Sequence, residues 1–211
     1  MNRNDLILYA VTDRAWLNGR TLAEDVEEAL KGGVTMVQLR EKEMDQDDFI
    51  AEAREIKKLT DRFGVPLIIN DNIEVCLAVD ASGVHVGQDD MAAGDVRAKV
   101  GPDKILGVTA KTVEQARAAQ AAGADYLGSG AIFGSTTKKD ARSMTEERLK
   151  EIAASVEIPV VAIGGIDADN VMKLVHLGLA GAAIVSGIFA QPDIGEAVRR
   201  LRPLCEAISR D

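Results

Sequence analysis

Short β-rich apolar runs alternate with amphipathic helical stretches from one end of the chain to the other, and nothing else in the sequence restricts the fold so tightly. The period of the apolar residues predicts strands at 6–11, 34–39, 66–69, 83–86, 105–108, 126–128, 160–163 and 182–185. Helices are expected between them, near 22–31, 46–62, 73–79, 92–100, 113–122, 145–155, 168–177 and 195–208. Three helix exits carry glycine shortly before the next strand: Gly32-Gly33, Gly123 and Gly178. Glycine past a helix end takes positive φ without a steric penalty and closes a short turn. Repeated at this spacing, such turns fit parallel strands joined by crossover helices. A closed barrel and an open doubly wound sheet both satisfy that pattern. Eight regular units without a switch point favour the barrel, so the expected class is α/β, a single (β/α)8 TIM barrel spanning 1–211 as one catalytic domain.

Composition narrows the function classes. The chain is 46% hydrophobic and 28% charged but only 3% aromatic, so its core must be built from Val, Ile, Leu, Ala and Met. A net charge of −9 argues against binding nucleic acid or an anionic membrane surface, while leaving room for an anionic small molecule held by clustered cations. Cys76 and Cys205 are far apart and form no CxxC pair, which points to a reducing, cytoplasmic setting and away from disulfides or zinc. The apolar stretch 6–11 is too short for a signal h-region, and no apolar run reaches the ~18 residues of a membrane span. The sequence does not speak to whether the chain forms a homo-oligomer.

In a (β/α)8 barrel, chemistry sits on the loops that follow the strands. Strand 2 ends in Gln38-Leu-Arg-Glu-Lys42, where Gln38, Arg40 and Lys42 share one face of an extended segment. An amide, a guanidinium fork and an ammonium suit a polyphosphate; the alternative is a solvated strand end with ion pairs to Glu41 or Glu43. Asp71 and Asp90 follow neighbouring strands and could share a small cation such as Mg²⁺, or each could cap a helix. Segment 129–142 has no periodicity and offers Ser135, Thr136, Thr137, Lys138 and Lys139, which reads as a binding loop or as a plain insertion. Gly164-Gly165 and Val185-Ser186-Gly187 end the last two strands, where barrels commonly hold a phosphate on backbone N–H groups. His85 lies within strand 4, either facing the site or packed and hydrogen-bonded, and His176 falls late in a helix. No arrangement for covalent nucleophilic catalysis is evident. The equipment suits electrostatic stabilisation of a departing phosphate.

Taken in this order, Tyr9-Ala-Val-Thr-Asp13, Gln38-Leu-Arg-Glu-Lys42, Asn70-Asp71, Val84-His-Val-Gly-Gln-Asp-Asp90, Gly107-Val-Thr109, Thr137-Lys-Lys-Asp140 and Ile163-Gly-Gly-Ile166 resemble the thiamine phosphate synthase family, over most of the chain. The resemblance implies a transferase of thiamine biosynthesis that joins 4-amino-2-methyl-5-(diphosphomethyl)pyrimidine to a thiazole phosphate, releasing pyrophosphate. It implies that Gln38, Arg40, Lys42, Asn70, Thr109 and Lys138 bind the pyrimidine diphosphate, with Arg40, Lys42, Thr109 and Lys138 acting in catalysis. Asp71 and Asp90 would hold Mg²⁺, and Ser135, Thr136, Thr137, Gly165, Val185 and Ser186 the thiazole phosphate. Thr109 stands where the family commonly has Ser, Lys111 where His is frequent, and Ala131 and Gly134 where prolines often sit. A thiazole tautomerase-like barrel and a non-catalytic binding protein are the competing readings.

Overall fold

In the computed structural model, which describes residues 1–88, 90–134 and 144–210, eight parallel strands close into a barrel in sequence order. The strands are β1 (Leu8–Val11), β2 (Met36–Leu39), β3 (Leu67–Asn70), β4 (Gly83–Val86), β5 (Ile105–Thr109), β6 (Tyr126–Gly130), β7 (Val160–Ile163) and β8 (Gly181–Ile184). Around them lie α1 (Leu22–Gly32), α2 (Gln46–Phe63), α3 (Ile73–Ala78), α4 (Ala93–Val100), α5 (Val113–Ala121), α6 (Glu146–Ala154), α7 (Ser186–Phe189) and α8 (Ile194–Ser209). The expected (β/α)8 class is therefore correct. Most helices open on a side-chain cap: Thr21 with Glu24 forms a reciprocal capping box on α1, and Asp45, Asn72, Thr112, Thr145 and Asp193 cap others.

Two departures from the expected elements have local causes. Strand β1 begins at Leu8, because Asn2 caps a 3-10 turn at Arg3–Leu6 and holds Leu6 out of the sheet. The helix expected at 168–177 is reduced to a 3-10 turn at Val171–Leu174. There the Asp167 carboxylate accepts from the backbone N–H groups of Asp169 and Asn170, and the Asn170 amide oxygen accepts from the Asp167 N–H. Such short-range bonds compete directly with helical ones. His176, at φ +70, and Gly178, at φ +74, then turn the chain toward β8.

Strand parity divides the core into two apolar layers. Leu8, Val37, Leu67, Ile69, Val84 and Leu106 face outward against the helices. Tyr9, Met36, Ile68, Ile105, Tyr126 and Val161 fill the barrel interior. Gly107 makes that filling possible: a Cβ there would lie 2.2 Å from Tyr126 Cζ and 2.5 Å from His85 Nδ1. Cys76 and Cys205 are buried, free thiols. Among the described residues, no helix is long and apolar enough to cross a membrane.

Candidate active site

At the carboxyl ends of the strands the interior opens into a cavity of about 170 Å³. The residues singled out on β2, β3 and β5 converge on it: Gln38, Arg40, Asn70 and Thr109 all line its walls. Gly165, Val185 and Ser186 form the opposite side. Gly165 adopts φ +65, and a Cβ there would lie 2.5 Å from Phe133 O, so only glycine fits this close approach of two loops. Ser135, Thr136, Thr137 and Lys138 lie outside the described residues, as does Asp89.

The cavity floor is a continuous chain of hydrogen bonds. Gln38 Nε2 donates to Tyr9 Oη at 2.6 Å, and the Tyr9 and Tyr126 hydroxyls are 2.7 Å apart. Tyr126 Oη lies 3.0 Å from His85 Nδ1, and His85 Nε2 lies 3.0 Å from Thr109 Oγ1. The Tyr9 and Tyr126 rings meet edge to face, with centroids 5.9 Å apart. Burial, as the first cause, pushes both phenols well above the usual tyrosine range. His85 thus satisfies both sequence readings at once: it is hydrogen-bonded within the barrel and it lines the cavity.

A charged cluster adjoins the cavity through Asn70. The Asn70 side-chain N–H donates to Asp71 Oδ2 at 2.6 Å, and Lys42 Nζ approaches the same oxygen at 2.5 Å. Asp71 sits at φ +60, in the left-handed region that Asp tolerates better than most residues. Asp90 Oδ2 accepts from the Gly87 N–H at 2.7 Å. Partial desolvation, and then the adjacent Asp71 carboxyl, push Asp90 upward from the usual carboxylate range. Neither aspartate is a helix cap: Asn72 caps α3, and Ala92 stands at the N-cap of α4 with no side-chain cap. Two neighbouring carboxyls facing one ammonium leave a surplus of negative charge.

The ion pairs proposed for a plain solvated strand end do not form. Arg40 Nη1 stands 4.0 Å from Asp13, Lys42 pairs with Asp71, and Glu41 turns the other way. Glu41 accepts from Arg14 Nε at 2.9 Å, and Arg14 also pairs with Glu52. Burial, followed by the charge of Glu52, pushes Glu41 up to about 7. Glu52 Oε2 is buried without a partner, and a proton on Glu41 would supply one.

Sequence reading missed Tyr9 and Tyr126 as site residues, because within short apolar strands they look like core. It noted Lys111 only for its departure from a family pattern, yet Lys111 lines the cavity. Gly107 and Gly128, on the inward face of neighbouring strands, were the available signal that something bulky approaches from within.

Comparison with known proteins agrees with this architecture. A family model described as thiamine monophosphate synthase matches residues 8–188. The chain is 51% identical over 201 residues to a thiamine-phosphate synthase of Clostridium tetani, covering 95% of this chain and 96% of that one. It is 48% identical over 208 residues to one from Lacticaseibacillus paracasei, covering 99% and 98%. Among solved structures, a thiamine phosphate pyrophosphorylase from Pyrococcus furiosus superposes with a TM-score of 0.90 at 36% identity, covering 98% of both chains. With a family model covering most of the barrel and relatives of this identity along nearly its whole length, the chain belongs to the thiamine monophosphate synthase family and is an enzyme of thiamine biosynthesis.

Proposed function

We propose that this enzyme joins 4-amino-2-methyl-5-(diphosphomethyl)pyrimidine to a thiazole phosphate, forming thiamine phosphate and pyrophosphate. One observation carries the reading: Asn70 belongs both to the cavity wall and, through Asp71, to the paired-carboxylate cluster. A substrate with a ring in the cavity and an anionic tail at the rim would span the two.

Arg40 and Lys42 supply the cationic groups for the diphosphate, Arg40 by its fork and Lys42 as a point charge. Lys42 is held on Asp71 and is half-exposed, so it can exchange that partner for a phosphate oxygen. Lys138, from the segment outside the described residues, is assigned to the same diphosphate. Gly165, Val185 and Ser186, with Ser135, Thr136 and Thr137, are assigned to the thiazole phosphate. Lys111 adds a further positive charge at the cavity wall.

The cluster fits a hard divalent cation. Asp71 and Asp90 stand close enough for one carboxyl to raise the proton affinity of the other, so a cation between them relieves a repulsion already present. Among the described residues no third acidic, His or Cys ligand gathers there, in keeping with Mg²⁺, which completes its shell with water and substrate oxygens. Asp71 and Asp90 would hold the ion, and when bound it neutralises charge on the diphosphate. The reaction we favour is dissociative: the C–O bond to diphosphate breaks first, and the thiazole nitrogen captures the resulting pyrimidine methyl cation. Arg40 and Lys42 meet the charge that develops on the leaving group. Capture needs no general base, and the apolar walls formed by Val11, Val161 and Ile163 limit water near the cation.

Multiple-turnover release of pyrophosphate that requires both substrates and Mg²⁺ tests the proposal. Tight binding without turnover, or tautomerisation of a thiazole carboxylate phosphate with no pyrophosphate release, would refute it.

A further inference from the structure

We propose that Gln38, Tyr9, Tyr126 and His85 form a polarised hydrogen-bond chain that fixes His85 as its Nε2–H tautomer and turns the Thr109 hydroxyl into a donor toward the cavity, with Gln38 Oε1 left as an acceptor. The amide nitrogen of Gln38 has only protons to offer, so Tyr9 Oη accepts and must spend its own proton on Tyr126. Tyr126 Oη, having accepted, donates to His85 Nδ1. A neutral imidazole that accepts at Nδ1 carries its proton on Nε2, which then points at Thr109 Oγ1. Thr109, having accepted, has one proton left, and it lines the cavity.

The Gln38 amide sets the direction, and burial makes every link follow it. Tyr9 and Tyr126 are 1% and 0% exposed, so no water can repair a reversed link, and the cost of an unsatisfied buried hydroxyl falls on the whole chain. Both phenols stay protonated, since burial pushes their titration upward. Gly107 and Gly128 admit the imidazole and phenol rings to this position, and the Tyr126 and His85 rings meet at a 38° tilt with centroids 5.5 Å apart. Tyr9, Tyr126 and His85 are thus positioning residues: they act through Thr109 and Gln38. The ligand selected presents a hydrogen-bond acceptor to Thr109 and a donor to Gln38, as an amino-substituted nitrogen heterocycle does. That last step rests on the substrate assignment proposed above; the chain and its direction do not.

The tautomer can be read directly. The chain has only two histidines, so ¹⁵N-histidine labelling gives two imidazole spin systems, assigned with His176→Gln. The wild-type protein without substrates is expected to show His85 protonated at Nε2 and unprotonated at Nδ1 at neutral pH. His85 protonated at Nδ1, or at both nitrogens, would overturn the proposal, because a flipped Gln38 amide reverses every link.

Gln38→Glu places acceptors on both side-chain oxygens and should reverse the chain, moving the proton to Nδ1. Tyr126→Phe should release the tautomer into a mixture and raise KM for the diphosphopyrimidine about tenfold, more than it changes kcat. An unchanged His85 spectrum in either folded variant would show that the links are not coupled. Failure of the substrate assignment would appear instead as missing pyrophosphate release beside an intact wild-type tautomer.

Discussion

The hydrogen-bonded floor of the cavity and the carboxylate cluster at its rim are built on opposite principles. The floor is a buried chain of side-chain hydrogen bonds, with links of 2.6–3.0 Å from Gln38 to Thr109. The rim gathers Lys42, Asp71 and Asp90 in partial contact with water, with more acid than base. A satisfied network holds shape because each broken link strands a buried polar group. An unbalanced cluster holds charge in readiness, and its members need little reorganisation to take a cation or a phosphate. On the function proposed above, one region would specify what enters and the other would supply the force that acts on it.

This contrast predicts that the two regions fail differently. The largest effect is expected from Asp71→Ala or Asp90→Ala, which should lower Mg²⁺-dependent turnover on the order of 100-fold or more while leaving the thermal midpoint nearly unchanged. Steady-state pyrophosphate release and calorimetry check this, and wild-type rates in both variants would remove the cluster from the chemistry. Next comes Gly107→Ala in the floor, where the new Cβ meets Tyr126 and His85 inside van der Waals distance. It should cost about 3 kcal/mol in urea unfolding as an overpacked interior. Tyr9→Phe removes one oxygen and strands Gln38 and Tyr126; a loss of about 1–2 kcal/mol is expected by the same measurement.

The smallest effect concerns Glu41, between Arg40 and Lys42 in the chain. Its carboxyl is raised on folding from 4.5 to about 7, so the folded chain binds that proton more tightly than the unfolded chain. Its contribution is therefore fully present at acidic pH and is lost as pH rises through that interval. Glu41→Gln should flatten the pH dependence of the urea midpoint over the same range, by about 1 kcal/mol after allowing for solvent screening. An unaltered slope would mean that Glu41 and Glu52 do not share a proton.

The barrel was legible because its signals are local: apolar runs of strand length, amphipathic stretches between them, and glycines such as Gly33 at helix exits. The rim residues Gln38, Arg40, Asn70 and Thr109 were legible for a related reason, since each lies at or just past the end of a strand already marked. Two things lay beyond such reading. The reduction of the helix expected at 168–177 turns on where the Asp167 and Asn170 side chains point, which periodicity does not encode. The floor joins Tyr9 to Tyr126 across 117 positions, and it depends on strand registers that no single segment reveals. The N-cap alternative for Asp71 was reasonable from sequence and wrong by one residue: Asn72 takes the cap, and Asp71 turns to Lys42.

Because side chains alternate across the barrel wall, an inserted or deleted residue within β2 would exchange Gln38 for a neighbouring aliphatic side chain and blank out one end of the floor. The same change in a connecting loop would leave every inward position where it was. Homologous enzymes built on this plan should accordingly tolerate length variation in their connections while keeping strict residue spacing along the staves.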